Sequence, residues 1–392
     1  MPIKITDFVE KEIKGLMKKD LFKSTNLKKL FTLLNQHLYG KLKYTDTDTR
    51  TRSKQIINLL FCKLVDEISK QPDEEVEFCI KESESKIELF ERINLFFEVN
   101  VRQKYIELFD DNEQIKLTKD LIYLIVKELQ HISLLQSSKD ILSDAFEIFV
   151  SKILKDEGGQ FFTPPNVVKF MVNYLNPEFN SKILDPACGH GGFLLEVKEY
   201  LWSKLTSDSS KAEVIRNLFG IDKDLFLSKI AKLYLEILSG GKSNIFCEDS
   251  LNPRTYRFKA KKAIQNNLFD CILTNPPFGA KIPINDKNIL KNYNLGHIWR
   301  NIDNNWEMKK IFAKQQSPQV LFIERCIQLL KDGGKLGIIL PEGIFGNPSD
   351  RYIWEYIISN GKILGIISLD KNAFQPYTCN KTSILFFQKL KD

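Results

Sequence analysis

No stretch of about 18 uncharged apolar residues occurs in the chain, which argues against a membrane-spanning helix. The opening residues, "MPIKITDFVEKEIKGLMKKD", alternate charges and lack an apolar core, so they do not read as a secretory signal. The cysteines form no C-x-x-C pair. All seven (Cys62, Cys79, Cys188, Cys247, Cys271, Cys326, Cys379) are scattered, odd in number and mostly set inside apolar runs. That argues against a disulfide framework and a zinc site, and fits the reduced core residues of a cytoplasmic protein. Proline is nearly missing from the first 155 residues, where only Pro2 and Pro72 occur. No internal repeat or low-complexity tract stands out.

The 392 residues suffice for two domains, and 43% hydrophobic with 27% charged content describes an ordinary globular protein. The net charge of +7 permits contact with nucleic-acid phosphates without demanding it.

Two grammars divide the chain. Up to about residue 155, segments such as "TRSKQIINLLFCKLVDEISK" and "KDLIYLIVKELQHISLL" space apolar residues at three and four, and strand-like alternation is missing. This predicts an all-helical domain over 1–155. Its last helix, "SKDILSDAFEIFVSKILKDE", is opened by Ser137 or Ser138 and stopped by Gly158-Gly159. Over 156–392, short apolar runs alternate with helical stretches: "SKILD", "NLFGID", "SNIFCED", "LFDCILTN", "KLGIILP", "KILGIISLD" and "TSILFFQK". Such alternation predicts a doubly wound, seven-stranded α/β sheet, whose last run can insert antiparallel. Residues 280–316 are polar and weakly periodic, which suits either a functional loop or disorder.

Three strand ends carry chemistry. After "ILD", the run "PACGHGG" places Asp185, Ala187, Gly189, His190, Gly191 and Gly192 at a strand-to-helix turn. Glycines let a backbone approach a ligand, and a helix start offers free N–H groups, although a plain βα turn reads the same way. The next run ends at Asp222, an acid able to accept both hydroxyls of a ribose. The one after it ends in Glu248, Asp249 and Ser250, where an adenine amine could be read; both sets of polar residues also suit simple helix caps. A carboxylate at Asp185 would repel a pyrophosphate and attract a cation. S-adenosylmethionine, a nucleoside with a sulfonium and an ammonium, fits these features.

The fourth end, "DCILTNPPFGA", stops a buried strand on an amide, two prolines and an aromatic ring. An aromatic amine such as that of adenine is a poor nucleophile because its lone pair is delocalised. Two acceptors aimed at its N–H groups favour the more reactive pyramidal form. Asn275 offers a side-chain carbonyl. Pro276 offers a backbone carbonyl held by the fixed φ angles of Pro276 and Pro277, and Phe278 offers a stacking face. A merely rigid loop is the alternative.

"DPACGHGGF" together with "TNPPFG" resembles the amino-methyltransferases that make N6-methyladenine in DNA. "GGQFFTPPNVV" precedes the glycine loop and N-P-P-F follows it, which resembles their gamma arrangement. Residues of about 140–390 are similar to the M (modification) subunit of type I restriction–modification systems, and the helical N-terminal part resembles it more loosely. The resemblance implies that Gln160, Phe161, Phe162, Thr163 and Pro164 close over the methionine half of the cofactor. It implies S-adenosylmethionine without a metal, double-stranded DNA as substrate, and a specificity subunit, a restriction subunit and a second copy of the chain as partners. His190 stands where the family more often has Ser or Thr, yet the loop works through backbone N–H groups, so binding is expected to survive. The chain stops at "FFQKLKD", just after its last strand. Sequence recognition is therefore expected from another polypeptide or a further segment. Methylation of RNA or of a protein glutamine, and a non-catalytic scaffold, are the competing functions. The scaffold is disfavoured by an intact Asn275 and intact glycines.

Overall fold

The computed structural model describes residues 15–24, 27, 29, 31–33, 49–109, 112–137, 163–239, 243–279, 283–303, 305–375 and 381–391. The chain divides into two compact units, Met1–Ile153 and Leu154–Asp392.

In the first unit, helices α1 (Thr49–Ser69), α2 (Lys86–Phe96) and α3 (Lys119–Leu129) dominate the described residues. The stretch Ile56–Leu64 is apolar nearly all round, and α1 is accordingly buried on every side there. Ser85 and Glu88 form a capping box that opens α2, with Ser85 N–H donating to the Glu88 carboxylate at 2.8 Å. Phe61 packs edge-on against Phe109 and tilts against Tyr105. Among the described residues the unit also holds one parallel pairing of two residues each, β1 (Phe22–Lys23) with β2 (Ile132–Ser133), and a single antiparallel bridge between Met17 and Glu75. Two-residue strands are too short to leave a period in a sequence. The expected helix over "SKDILSDAFEIFVSKILKDE" lies outside the described residues.

The second unit is built on a seven-stranded sheet. Its strands are β3 (Ile183–Asp185), β4 (Leu218–Asp222), β5 (Asn244–Cys247), β6 (Phe269–Thr274), β9 (Leu330–Pro341), β10 (Gly361–Ser368) and β11 (Thr382–Lys389). The order across the sheet is β10-β11-β9-β6-β3-β4-β5. Only β11 runs against its neighbours, as its place at the end of the chain suggested. Helices α4 (Pro165–Leu175), α5 (Gly192–Trp202), α6 (Asp208–Arg216), α7 (Leu225–Ser239), α8 (Pro318–Leu329) and α9 (Arg351–Asn360) flank it. The chain lays down β3, β4 and β5 toward one edge, then returns to place β6 on the other side of β3. That reversal opens a crevice at the carboxyl ends of β3 and β6.

Of the segment 280–316, residues 280–282 and 304 lie outside the described residues, and the described ones are more ordered than their polarity suggested. A helical turn, Lys287–Leu290, precedes an antiparallel hairpin of β7 (His297–Ile302) and β8 (Asn305–Phe312). A bridge between Ile284 and Gln316 closes its base, and Trp299 and Trp306 both tilt over Tyr352. A bulge between His297 and Trp299 breaks the alternation, and neither strand buries a full apolar face, so the period-two signal is missing.

Candidate active site

At the carboxyl end of β3 the chain leaves the sheet through Asp185 and turns along residues 186–191. Cys188 N–H donates to Ile221 O at 2.9 Å, which ties the turn to β4. Gly189 and Gly191 have φ of +53° and +93°, a region that side chains rarely enter, so glycine is needed at both. A Cβ on Gly189 would meet nothing within 4 Å, whereas one on Gly191 would touch the Ala231 side chain at 3.5 Å. Gly189 thus presents bare backbone to open space, and Gly191 lets α5 start against α7.

Asp222 organises this turn. One carboxylate oxygen accepts from Gly189 N–H and the other from Asp224 N–H, both at 2.8 Å. A carboxylate has about four lone-pair sites, so two remain for a diol. Burial pushes its carboxyl up to about 6. Asp185, 1% exposed, accepts from Ala187 N–H at 3.0 Å, and burial pushes it up to about 7. Burial also pushes His190 down to about 4, so its imidazole is neutral near pH 7. The site therefore carries no histidine cation.

Beyond β5, the polar residues partly serve the backbone. Glu248 accepts from Arg257 N–H and Asp249 from Leu251 N–H, each at 2.9 Å. The Ser250 hydroxyl donates to Pro186 O at 2.5 Å, fastening this loop to the glycine turn. All three still line the cavity described next.

Asn275 follows β6. Its Nδ2 donates to Thr163 Oγ1 at 3.0 Å, which fixes the amide and turns Oδ1 the other way. That oxygen is buried and accepts no hydrogen bond among the described residues. An unpaired buried acceptor typically costs about 1–3 kcal/mol, a cost that a ligand N–H would relieve.

These elements enclose a cavity of about 280 Å³. Thr163, Asp185, Ala187, Gly189, His190, Gly192, Asp222, Asp249, Ser250, Asn275, Pro276 and Pro277 line it, so most residues expected from the sequence meet there. Gly191 stands behind the turn, and Pro164 caps α4, its carbonyl accepting from Val167 N–H and Val168 N–H at 2.9 and 3.0 Å. Phe278 is buried, 8% exposed, and its ring does not line the cavity. Stacking a base on it requires the ring to turn outward. Gln160, Phe161 and Phe162 lie outside the described residues. Sequence reasoning missed Lys223 at the rim and an apolar wall of Ile284, Pro318 and Phe322. The wall comes from the start of α8 and the segment before the hairpin, and in sequence such residues read as ordinary core. Among the described residues, no group of three or more His, Cys, Asp or Glu is placed to hold a metal ion.

Comparison with known proteins gives this arrangement a context. The methylase subunit of the type I restriction enzyme EcoEI from Escherichia coli is 27% identical over 297 residues, spanning 72% of this chain and 54% of that protein. The MjaVII methylase subunit of Methanocaldococcus jannaschii is 28% identical over 246 residues, spanning 61% of this chain and 38% of its own length. This chain therefore spans about half or less of those relatives. Among solved structures, a type I restriction–modification methyltransferase subunit from Streptococcus thermophilus superposes with a TM-score of 0.64 at 18% identity, covering 95% of this chain and 85% of its own. At that identity the likeness shows the fold. The profile of one family, N-6 DNA Methylase, matches residues 137–392. Because that match takes in well over half of the sequence and all of the cavity, the chain belongs to the N-6 DNA Methylase family.

Proposed function

We propose that this chain methylates N6 of adenine in double-stranded DNA, with S-adenosylmethionine as methyl donor, as the modification subunit of a restriction–modification system. One observation carries the reading: the carbonyl oxygen of Asn275 is buried at the cavity, held by Thr163 and without a partner. An acceptor so placed is suited to an amine that enters from outside.

The residues present fit the cofactor. Gly189 leaves backbone open where a nucleoside would lie, and Asp222 keeps acceptor sites for ribose hydroxyls. Asp185 supplies a carboxyl for a cationic group, and His190 is neutral and so does not oppose one. When bound, S-adenosylmethionine supplies a methyl group on a positively charged sulfur, an already activated leaving group.

The protein's part is to hold the amine. Asn275 Oδ1 and the carbonyl of Pro276 accept its two N–H groups and favour a pyramidal nitrogen. The fixed φ of Pro276 and Pro277 keeps that backbone carbonyl from drifting. Pro276, Pro277, Ile284 and Phe322 give the cavity apolar walls that exclude water and raise the value of each hydrogen bond. The amine proton, acidic once the nitrogen is alkylated, passes to water.

The relatives are named as methylase subunits of type I restriction enzymes, which supports action within a multisubunit enzyme. The partners proposed for this chain are a specificity subunit, a restriction subunit and a second copy of itself. The test incubates the purified chain with random-sequence duplex and S-adenosylmethionine, and maps modified adenines by sequencing. Methylated adenines that vanish in Asn275→Ala are expected, at low and unselective levels until a specificity subunit is added. Methyl incorporation into RNA or protein, with none into DNA, would replace this reading.

A further inference from the structure

Apart from the cavity above, the loop after β5 borders a second cavity of about 420 Å³, lined by Arg254, Tyr256, Lys261, Asn266, Arg325 and Gln328 among others. None of its lining residues is acidic, and three are permanently or normally cationic. Arg325, on α8, is the unusual member because it is only 2% exposed. Its Nε donates to Ser250 O at 3.0 Å, and its Nη1 donates to Asn266 Oδ1 at 2.8 Å and to Gln328 Oε1 at 3.5 Å. All these acceptors are neutral. No ion pair of Arg325 occurs among the described residues.

A guanidinium stays charged when buried, and a buried charge is normally paired. Holding Ser250 explains why Arg325 is present, but a neutral donor would do that at less cost. It does not explain why two further cations line the same cavity without a carboxylate. The bonds made by Arg325 through Nε and Nη1, with a further side-chain bond to the Tyr256 hydroxyl, engage four of the five hydrogens of its fork and leave one to donate. Asn266 accepts through its oxygen, so its Nδ2 is the end left to donate. Arg254 and Lys261 are exposed and belong to "PRTYRFKAKKA" (253–263), which has five basic residues and no acid. A solvated basic face would not place a buried arginine at its base.

We propose that this cavity is a phosphate site, taking one phosphate group between the remaining N–H of Arg325, the Nδ2 of Asn266 and the exposed cations Arg254 and Lys261. The phosphate can belong to a DNA backbone or to a small phosphorylated molecule, since both offer the same anionic oxygens. The inference does not rest on the methyl-transfer reading, because none of Arg254, Lys261, Asn266 and Arg325 lines the first cavity.

The test uses the full chain and the double variant Arg254→Ala/Lys261→Ala, both exposed positions, with Lys287→Ala/Lys371→Ala as a control of equal charge change. Calorimetry with inorganic phosphate forms one arm, and binding of a short duplex at several salt concentrations forms the other. In at least one arm the double variant is expected to lose about tenfold in affinity or more, while the control does not. A loss with phosphate identifies a small phosphorylated ligand. A loss with duplex, together with a salt slope shallower by about 1, identifies a backbone phosphate. Equal behaviour of the two double variants in both arms would overturn the proposal.

Discussion

Asn275 Nδ2 and Thr163 Oγ1 are 3.0 Å apart although 112 positions separate the residues in the chain. The bond engages the nitrogen end of an amide that lines the cavity. With the nitrogen engaged, the oxygen is the free end, and an acceptor is what an exocyclic amine needs.

Asn275→Ala removes that acceptor and leaves the glycine turn and Asp222 untouched. Loss of one preorganised acceptor typically lowers the rate by about 10²–10³. We expect a fall of that size in kcat for DNA methylation, with cofactor affinity nearly unchanged by calorimetry. Parental kcat in the variant would remove Asn275 from the chemistry.

Thr163→Val keeps the shape of the side chain but takes away the oxygen that accepts from Asn275. The amide is then free to rotate and present its nitrogen to the substrate. A lost hydrogen bond of about 0.5–1.5 kcal/mol corresponds to a drop in kcat of roughly two- to tenfold. Thr163→Ser, which retains the hydroxyl, is expected to restore the rate. If Val and Ser variants lose activity equally, Thr163 acts by packing and not by orienting the amide.

The sheet was legible because its central strands are buried on both faces and read as unbroken apolar runs, with Cys271-Ile272-Leu273 as the clearest case. The glycine turn and the acid at Asp222 were legible for a local reason: each sits within a few residues of a strand end. The Thr163–Asn275 bond was not, since nothing in either neighbourhood reports the other. The burial of Phe278 was not legible either, because an aromatic ring after two prolines reads as presented while its 8% exposure is set by tertiary packing. The hairpin β7–β8 escaped notice because its stability comes from Trp299 and Trp306 against Tyr352, contacts made across more than 40 residues.

Asp222→Asn changes one oxygen of the carboxylate into an NH₂ group, and both oxygens are now acceptors of backbone N–H bonds. Whichever way the amide turns, a donor faces either Gly189 N–H or Asp224 N–H. One bond is lost and the turn loosens. An unsatisfied buried donor costs about 1–3 kcal/mol, so affinity for S-adenosylmethionine is expected to fall roughly tenfold to a hundredfold, accompanied by a lower melting temperature. Retention of both would mean that Asp222 neither shapes the turn nor meets the cofactor.

The two raised carboxyls give the site a pH dependence with a definite sign. Burial holds Asp185 at about 7 and Asp222 at about 6, each above the ordinary value near 3.8. A carboxyl raised on folding favours the folded state while protonated, and that contribution is lost as pH climbs through the folded value. These two groups therefore make the ligand-free protein more stable near pH 5 than near pH 8. A cationic ligand beside Asp185 and a diol on Asp222 both prefer the ionised forms, so binding pulls protons off. Affinity for S-adenosylmethionine is expected to rise as pH increases from about 5.5 to 7.5, by up to tenfold per unit for each proton released. Titrations at pH 6.5 in two buffers of different ionisation enthalpy measure that release directly. We expect buffer-dependent heats at pH 6.5 that disappear by pH 8.5, and a smaller proton release in Asp222→Asn. A flat affinity profile with identical heats in both buffers would show that neither carboxyl meets the ligand in its charged form.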